Sequence, residues 1–215
     1  MARAGSRGAP LGERERRSMS LDILVLPGDG VGPEVTEQAV RVLAWFRDRR
    51  GVALRLTERG FGMANWHAHG TLMPEETWAR IEAADAILFG AVGSLDQAAI
   101  PPEERRKGSL LRMRKALDAF ANLRPVRMHE ALIGASPLRP EVVRGTDLVF
   151  VRELTAGVYF GEPRGGRRGA DGLSCGLNTH RYTEAEIARA ARFAFALARS
   201  RRNHVTSVDK ANVME

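Results

Sequence analysis

The sequence predicts an α/β layered fold with parallel strand pairing, and three observations carry that expectation. Short apolar runs at Leu21–Leu26 and Ala86–Phe89 have the length of buried strands. Each is closed by a glycine-rich turn, and the stretches between and after them repeat apolar residues at helical spacing. A chain of 215 residues, 44% of them hydrophobic, is long enough to bury a substantial core. Its longest apolar stretches fall far short of the roughly 20 residues that span a bilayer, so no membrane partner is expected. The one cysteine, Cys175, has no partner for an internal disulfide and reads as a free surface thiol in a reducing compartment.

Residues 1–20 mix Gly, Ser and Pro with charges of both signs and hold almost nothing to bury, which predicts a disordered basic tail; Met19 is an alternative translation start. The first strand, Leu21–Leu26, runs into Pro27-Gly28-Asp29-Gly30-Val31-Gly32-Pro33-Glu34. Pro33 suits a first helical position, Glu34 complements the positive end of the helix dipole, and Val35, Ala39, Val42 and Phe46 recur as its apolar face. The glycines do not fit the dinucleotide fingerprint G-x-G-x-x-G, because Pro33 stands where the spacing needs the third glycine. Such a loop either presents backbone N–H groups to an anion or simply makes a tight turn. A second helix opens at Leu72-Met73-Pro74-Glu75-Glu76 and continues through Trp78 and Ile81. The next strand, Ala86–Phe89, closes in Gly90-Ala91-Val92-Gly93-Ser94.

From Gly108 a helix is predicted with the apolar face Leu110, Met113, Leu117 and Phe120. Arg114 beside that stripe either forms a solvated ion pair with Asp118, four residues on, or joins Arg124 in clamping carboxylates. Arg124 precedes Pro125 and is therefore held extended. A strand at Leu148–Val151 leads into Arg152, and Gly157–Gly165 reads as an aromatic-bearing turn or hairpin in which Tyr159 packs its ring. The glycine-rich run Gly165–Leu177 is expected to be mobile. Thr183 and Glu186 spell a capping box for a last helix that buries Ile187, Ala190, Ala194 and Leu197 and ends in Arg199, Arg201 and Arg202.

A net charge of +7 invites nucleic acid as a partner. Of 33 basic residues only three are lysines, however, and the arginines are scattered among acidic neighbours without interleaved stacking residues. Such a pattern argues against a nucleic-acid face.

Four motifs in order resemble the β-decarboxylating dehydrogenases, the isocitrate/isopropylmalate dehydrogenase family: Leu26 to Val35, Leu110 to Pro125, Val151 to Gly165 and Ser207 to Val213. The resemblance covers everything after the tail. It implies a layered α/β fold that is not a Rossmann fold and is incomplete at the C-terminus. Residues 21–119 would then be the first part of a large domain, and 120–215 a small domain with a dimerisation arm at about 154–182. It also implies an NAD-dependent oxidative decarboxylation of a 2-hydroxy acid in the cytoplasm, by a homodimer that uses Mg or Mn. By matching motif, Arg114, Arg124 and Arg152 would hold the substrate carboxylates. Leu110, Leu111 and Val213 would line the alkyl pocket, and Val31, Gly93, Ser94 and Asn212 would meet the cofactor. Tyr159 would act as acid, and Lys210, contributed by the neighbouring subunit, as base.

The departures keep alternatives open. Lys107 stands where a glutamate is usual, and the run from Gly93 to Pro102 lacks the usual Gly-Gly-Pro-Lys-Trp. The latter is similar to the tartrate dehydrogenase branch, whereas the run Tyr159 to Gly165 favours 3-isopropylmalate. The family's metal-binding aspartates are expected beyond Glu215. A chain without them is expected to be inactive or unstable alone, and a non-catalytic fragment is the alternative to an enzyme.

Overall fold

A computed structural model describes residues 20–210, 212 and 213, the side chains of residues 95 and 97 aside; residues 1–19, where the expected tail falls, lie outside it. The chain divides after Gly108 into two compact units.

The first unit is built on a three-stranded parallel sheet in the order β2-β1-β3, with β1 at Leu21–Gly28, β2 at Leu54–Glu58 and β3 at Ala86–Ala91. As the central strand, β1 explains why its sequence is continuously apolar: Leu24, Val25 and Leu26 are almost wholly buried. Three helices join the strands, α1 at Gly32–Arg50, α2 at Met63–His69 and α3 at Glu75–Ala83, and α4 follows at Pro102–Lys107. Met63, Leu72 and Ile100 pack with Trp66 into a satellite core.

One expectation fails in α1. Its predicted apolar face is exposed, with Val35 at 47%, Val42 at 57% and Phe46 at 43%, while Gly32 and Thr36 are buried. The cause is close packing on β3. A Cβ on Gly90 would stand 2.3 Å from the Pro27 carbonyl oxygen and 2.5 Å from Thr36 Oγ1, so the helix approaches along its small residues and leaves the large ones outside.

The second unit begins with α5 at Leu110–Ala116, capped by Ser109 Oγ, which accepts the Leu111 N–H at 3.0 Å. The helix was expected to carry its face as far as Phe120. It stops earlier because Asp118 takes a left-handed φ of 46°, which no helix continues through. An antiparallel ribbon follows, β4 at Ala121–Arg127 and β5 at Asp147–Glu153, with the short α6 at Pro140–Val143 between them.

The glycine-rich run expected to be mobile forms instead a second ribbon, β6 at Gly161–Arg168 paired antiparallel with β7 at Ser174–Thr179. Cys175 lies exposed on it as a free thiol.

The last helix, α7 at Glu184–Arg199, starts in the predicted capping box: Thr183 Oγ1 accepts the Glu186 N–H, and the Glu186 carboxylate accepts the Thr183 N–H at 2.7 Å. The bonds from Thr183 hold the Glu186 carboxyl below its ordinary pKa of 4.5. Its expected buried face is only partly realised. Ala190, Ala194 and Leu197 are half-buried, whereas Ile187 is 58% exposed and the buried residue is Ala198; Arg201 and Arg202 lie past the helix end, holding Asp147 at the start of β5.

Candidate functional site

The β4–β5 ribbon has two unlike faces. Along β5, Leu148, Phe150 and Arg152 are exposed and alternate with the half-buried Asp147, Val149, Val151 and Glu153. Period two explains the split: the second set faces α7, whose Arg189 reaches Glu153, and the first set faces away. On β4 the residues paired with the open set are Asn122, opposite Arg152, and Arg124, opposite Phe150. Directly paired residues share a face, so Arg124 and Arg152 lie together on the open side with Asn122 between them. A hydrogen bond supports this placement, Arg124 Nε donating to Asn122 Oδ1 at 2.7 Å.

Tyr159 joins the same array. The Arg152 guanidinium lies 5.5 Å from the centre of its ring, within cation–π range, and the residue is 46% exposed. Two devices set the turn that carries it. The Glu153 carboxylate accepts the N–H groups of Thr155 and Ala156 at 3.0 and 2.8 Å and the Thr155 hydroxyl at 2.9 Å, folding the chain directly after β5. Gly157 then adopts φ 73°, where a Cβ would stand 2.4 Å from the Tyr182 hydroxyl.

Arg189 locks this arrangement from α7. It donates to Glu153 Oε1 at 3.0 Å and Asp118 Oδ1 at 2.9 Å, bonds the Thr155 hydroxyl, and stacks 4.8 Å from the Phe120 ring centre. Burial opposes its charge, but the two carboxylates outweigh that and raise its pKa above the ordinary arginine value. Asp118 is therefore the partner of Arg189 and not of Arg114, which corrects the sequence expectation: the left-handed turn at Asp118 carries its carboxylate off the α5 ladder. Among the described residues Arg114 has no ion-pair partner.

The remaining predicted residues of this unit lie on other elements. Leu110 and Leu111 are half-buried on α5. Lys210 is exposed; its backbone N–H donates to Asp209 Oδ1 at 2.6 Å and its carbonyl accepts the Val213 N–H at 3.1 Å. Asn212 and Val213 share that exposed terminal segment, Val213 at 72%. No hydrogen bond or ion pair joins the three to the arginine array among the described residues.

In the first unit, Val31 follows β1, and Gly93 and Ser94 follow β3, at the carboxyl ends of neighbouring parallel strands and on exposed backbone. Ligands of open α/β sheets bind at that end, so the placement fits a nucleotide cofactor. Asp29 ties the loops together: its backbone N–H donates to the Ala91 carbonyl at 2.6 Å, and its carboxylate accepts the N–H groups of Ala64 and Gly93 at 3.1 and 3.2 Å. For a divalent metal the fit fails. Among the described residues no three His, Cys, Asp or Glu side chains group closely enough to hold an ion. Lys107, in place of the usual glutamate, pairs with Glu103 and Glu104 at 3.4 and 3.3 Å on α4.

Two concavities accompany these residues. One of about 450 Å³ in the first unit is lined by Gly28, Thr36, Arg59 and His69 among others, and one of about 850 Å³ in the second lies between β5, α7 and residues 204–208. None of the predicted site residues lines either.

Sequence reading missed Asn122, Asp29, Glu153 and Arg189. Asn122 had a signal, since a polar residue two before a pre-proline arginine shares its strand face. Asp29 and Arg189 act across long sequence separations that no local pattern announces, whereas Glu153 sets its turn locally, through Thr155 and Ala156 two and three residues on.

An α/β chain with these loops and this arginine-bearing ribbon belongs to the isocitrate/isopropylmalate dehydrogenase family, whose model matches residues 22–215. Among its relatives, a protein named 3-isopropylmalate dehydrogenase from Anaeromyxobacter dehalogenans is 49% identical over 201 residues, 92% of this chain and 56% of the relative. One named 3-isopropylmalate dehydrogenase 1 from Bradyrhizobium diazoefficiens is 46% identical over 198 residues, 92% of this chain and 52% of the relative. The chain thus spans about half the length of the curated relatives it matches. Among solved structures, a β-decarboxylating dehydrogenase from Thermococcus kodakarensis superposes with a TM-score of 0.61 at 32% identity, covering 90% of this chain and 50% of that one. An isocitrate dehydrogenase from Methylococcus capsulatus gives 0.66 at 26% identity, covering 85% and 48%. The fold is therefore that of these dehydrogenases and corresponds to their N-terminal half. No helix among the described residues is long and apolar enough to cross a membrane.

Proposed function

We propose that this chain supplies the substrate-gripping face for the NAD-dependent oxidative decarboxylation of 3-isopropylmalate to 2-oxoisocaproate, in leucine biosynthesis, as a subunit of a cytoplasmic homodimer. The observation that carries the proposal is the open ribbon face, where Arg124, Arg152 and Tyr159 stand together with no carboxylate among the described residues paired to either arginine. Guanidinium groups held on a rigid strand pair suit a dicarboxylic acid, because each fork can take a carboxylate in two parallel hydrogen bonds. Arg114, free of any ion pair among the described residues, is a third cation for the same acid. The half-buried Leu110 and Leu111, with Val213, offer the apolar surface a branched alkyl group needs. The names of the relatives support that branched acid over a tartrate-type substrate.

The chemistry then assigns each group one task. The Lys210 amine of the neighbouring subunit takes the proton of the substrate hydroxyl. NAD, when held by Val31, Gly93, Ser94 and Asn212, supplies the two-electron acceptor. The arginines hold the carboxylates while the carbon–carbon bond breaks and carbon dioxide leaves with the electron pair remaining on the enolate. The Tyr159 hydroxyl returns a proton to that carbon. A Mg or Mn ion belongs to the proposal for the family's reaction, but the described residues hold no group for it.

Calorimetric titration of the chain with 3-isopropylmalate and with malate tests this reading. Tighter binding of the branched acid, abolished in Arg124→Met and in Arg152→Met, is expected; equal binding by both variants and the parent would overturn it.

A further inference from the structure

We propose that Asn122 is a positioning residue that selects which edge of Arg124 receives the substrate carboxylate. The inference rests on the proposed function in taking Arg124 as a carboxylate ligand. A guanidinium has two edges able to take a carboxylate in parallel bonds, a side edge that includes Nε and an end edge made by the two terminal nitrogens. In this structure Nε is spent on Asn122 Oδ1 at 2.7 Å, while neither terminal nitrogen of Arg124 has a partner among the described residues. The side edge is therefore blocked and the end edge is presented.

Three features make the arrangement suited to that task. Asn122 is two residues from Arg124 on one strand, so both side chains leave the same face and the bond needs no distortion. It is paired across the ribbon with Arg152, so one neutral side chain stands beside two cations. Its amide offers an acceptor without negative charge. An aspartate here would hold the same Nε but would also act as an internal carboxylate, cancelling the charge the substrate must meet. The residue between two gripping arginines is therefore a neutral acceptor, which orients without competing.

The test uses nitrogen-15 NMR of the arginine side chains in the full 215-residue chain, with Asn122→Ala, Asn122→Asp and Arg124→Lys as variants. In the parent, the Arg124 Nε–H resonance, assigned by its loss in Arg124→Lys, is expected to stand apart from those of solvated arginines. It should collapse onto them in Asn122→Ala and stay apart in Asn122→Asp. Backbone amide spectra of the β4–β5 ribbon show whether each variant keeps its fold. On titration with 3-isopropylmalate, Asn122→Ala is expected to bind about tenfold more weakly than the parent, from loss of one bond to a charged group. Asn122→Asp is expected to bind more weakly still despite its retained Nε bond. A merely structural asparagine would leave Asn122→Asp, which keeps the bond, with parental affinity, and that result overturns the proposal. So does an Arg124 Nε–H signal that is unmoved in Asn122→Ala. Absence of binding by the parent, with the Nε–H signature intact, would instead refute the substrate reading and leave the orienting bond established.

Discussion

Replacing Arg189 with alanine removes the side chain that fastens α7 to the turn carrying Tyr159. Its bond to Glu153 joins a guanidinium that is 29% exposed to a carboxylate that is 10% exposed, and such charge-assisted bonds contribute about 1.5–3 kcal/mol. The stack on Phe120 adds about 0.5–1 kcal/mol. The pair with Asp118 counts for little, because Asp118 is 72% exposed and water screens it. Glu153 is not stranded by the change, since Thr155 and Ala156 still donate three hydrogen bonds to it, so the penalty of a bare buried charge does not arise. The expected loss is about 2–4 kcal/mol, a large share of the roughly 5–15 kcal/mol that stabilises a domain. Urea denaturation followed by circular dichroism measures it, and a cycle with Glu153→Gln isolates the pair, with an expected coupling above about 1 kcal/mol. A loss below about 0.5 kcal/mol, or a coupling of zero, would show that the bond is incidental and that the turn is set without α7.

Other expectations follow from the same geometry. The Glu186 carboxyl is held below its ordinary pKa of 4.5, chiefly by its bond from the Thr183 backbone, so its contribution to stability is full above that value and lost as pH falls through the depressed one. Glu186→Gln should therefore flatten the acid limb of a stability–pH curve, and an unchanged limb would contradict the capping box. Thr183→Ala should cost about 1 kcal/mol in the same denaturation assay. Gly90→Ala should cost about 1–3 kcal/mol by forcing β3 away from both β1 and α1, since the added Cβ would meet the Pro27 carbonyl oxygen at 2.3 Å and Thr36 Oγ1 at 2.5 Å; a neutral substitution would show that the close approach is absent in solution.

What was legible in the sequence was whatever depends on neighbours along the chain. The parallel pairing of β1 with β3, the capping box at Thr183 and the extended backbone at Arg124 follow from short apolar runs, a four-residue spacing and a following proline, and all are present. Helix faces were less legible. Periodicity marked Val35, Val42 and Phe46 of α1 and Ile187 of α7 as buried, yet all are exposed, because periodicity reports which residues share a stripe and not whether anything covers it. Glycine contacts decided the actual face of α1. Likewise, an i to i+4 spacing suggested Arg114 with Asp118, but a single positive φ redirected the carboxylate to Arg189, 71 residues away. The nearness of Arg124, Arg152 and Tyr159 required strand register, which pairs residues 30 apart and has no local signature.

The central claim is that the open face of the β4–β5 ribbon grips a dicarboxylic acid. Mapping backbone amide shifts during titration with 3-isopropylmalate tests it most directly. Shifts centred on Asn122–Arg124, Phe150–Arg152 and Tyr159, absent in Arg152→Met, are the predicted result. Shifts confined to the arginines of β6, Arg164, Arg167 and Arg168, or none on the ribbon, would contradict it.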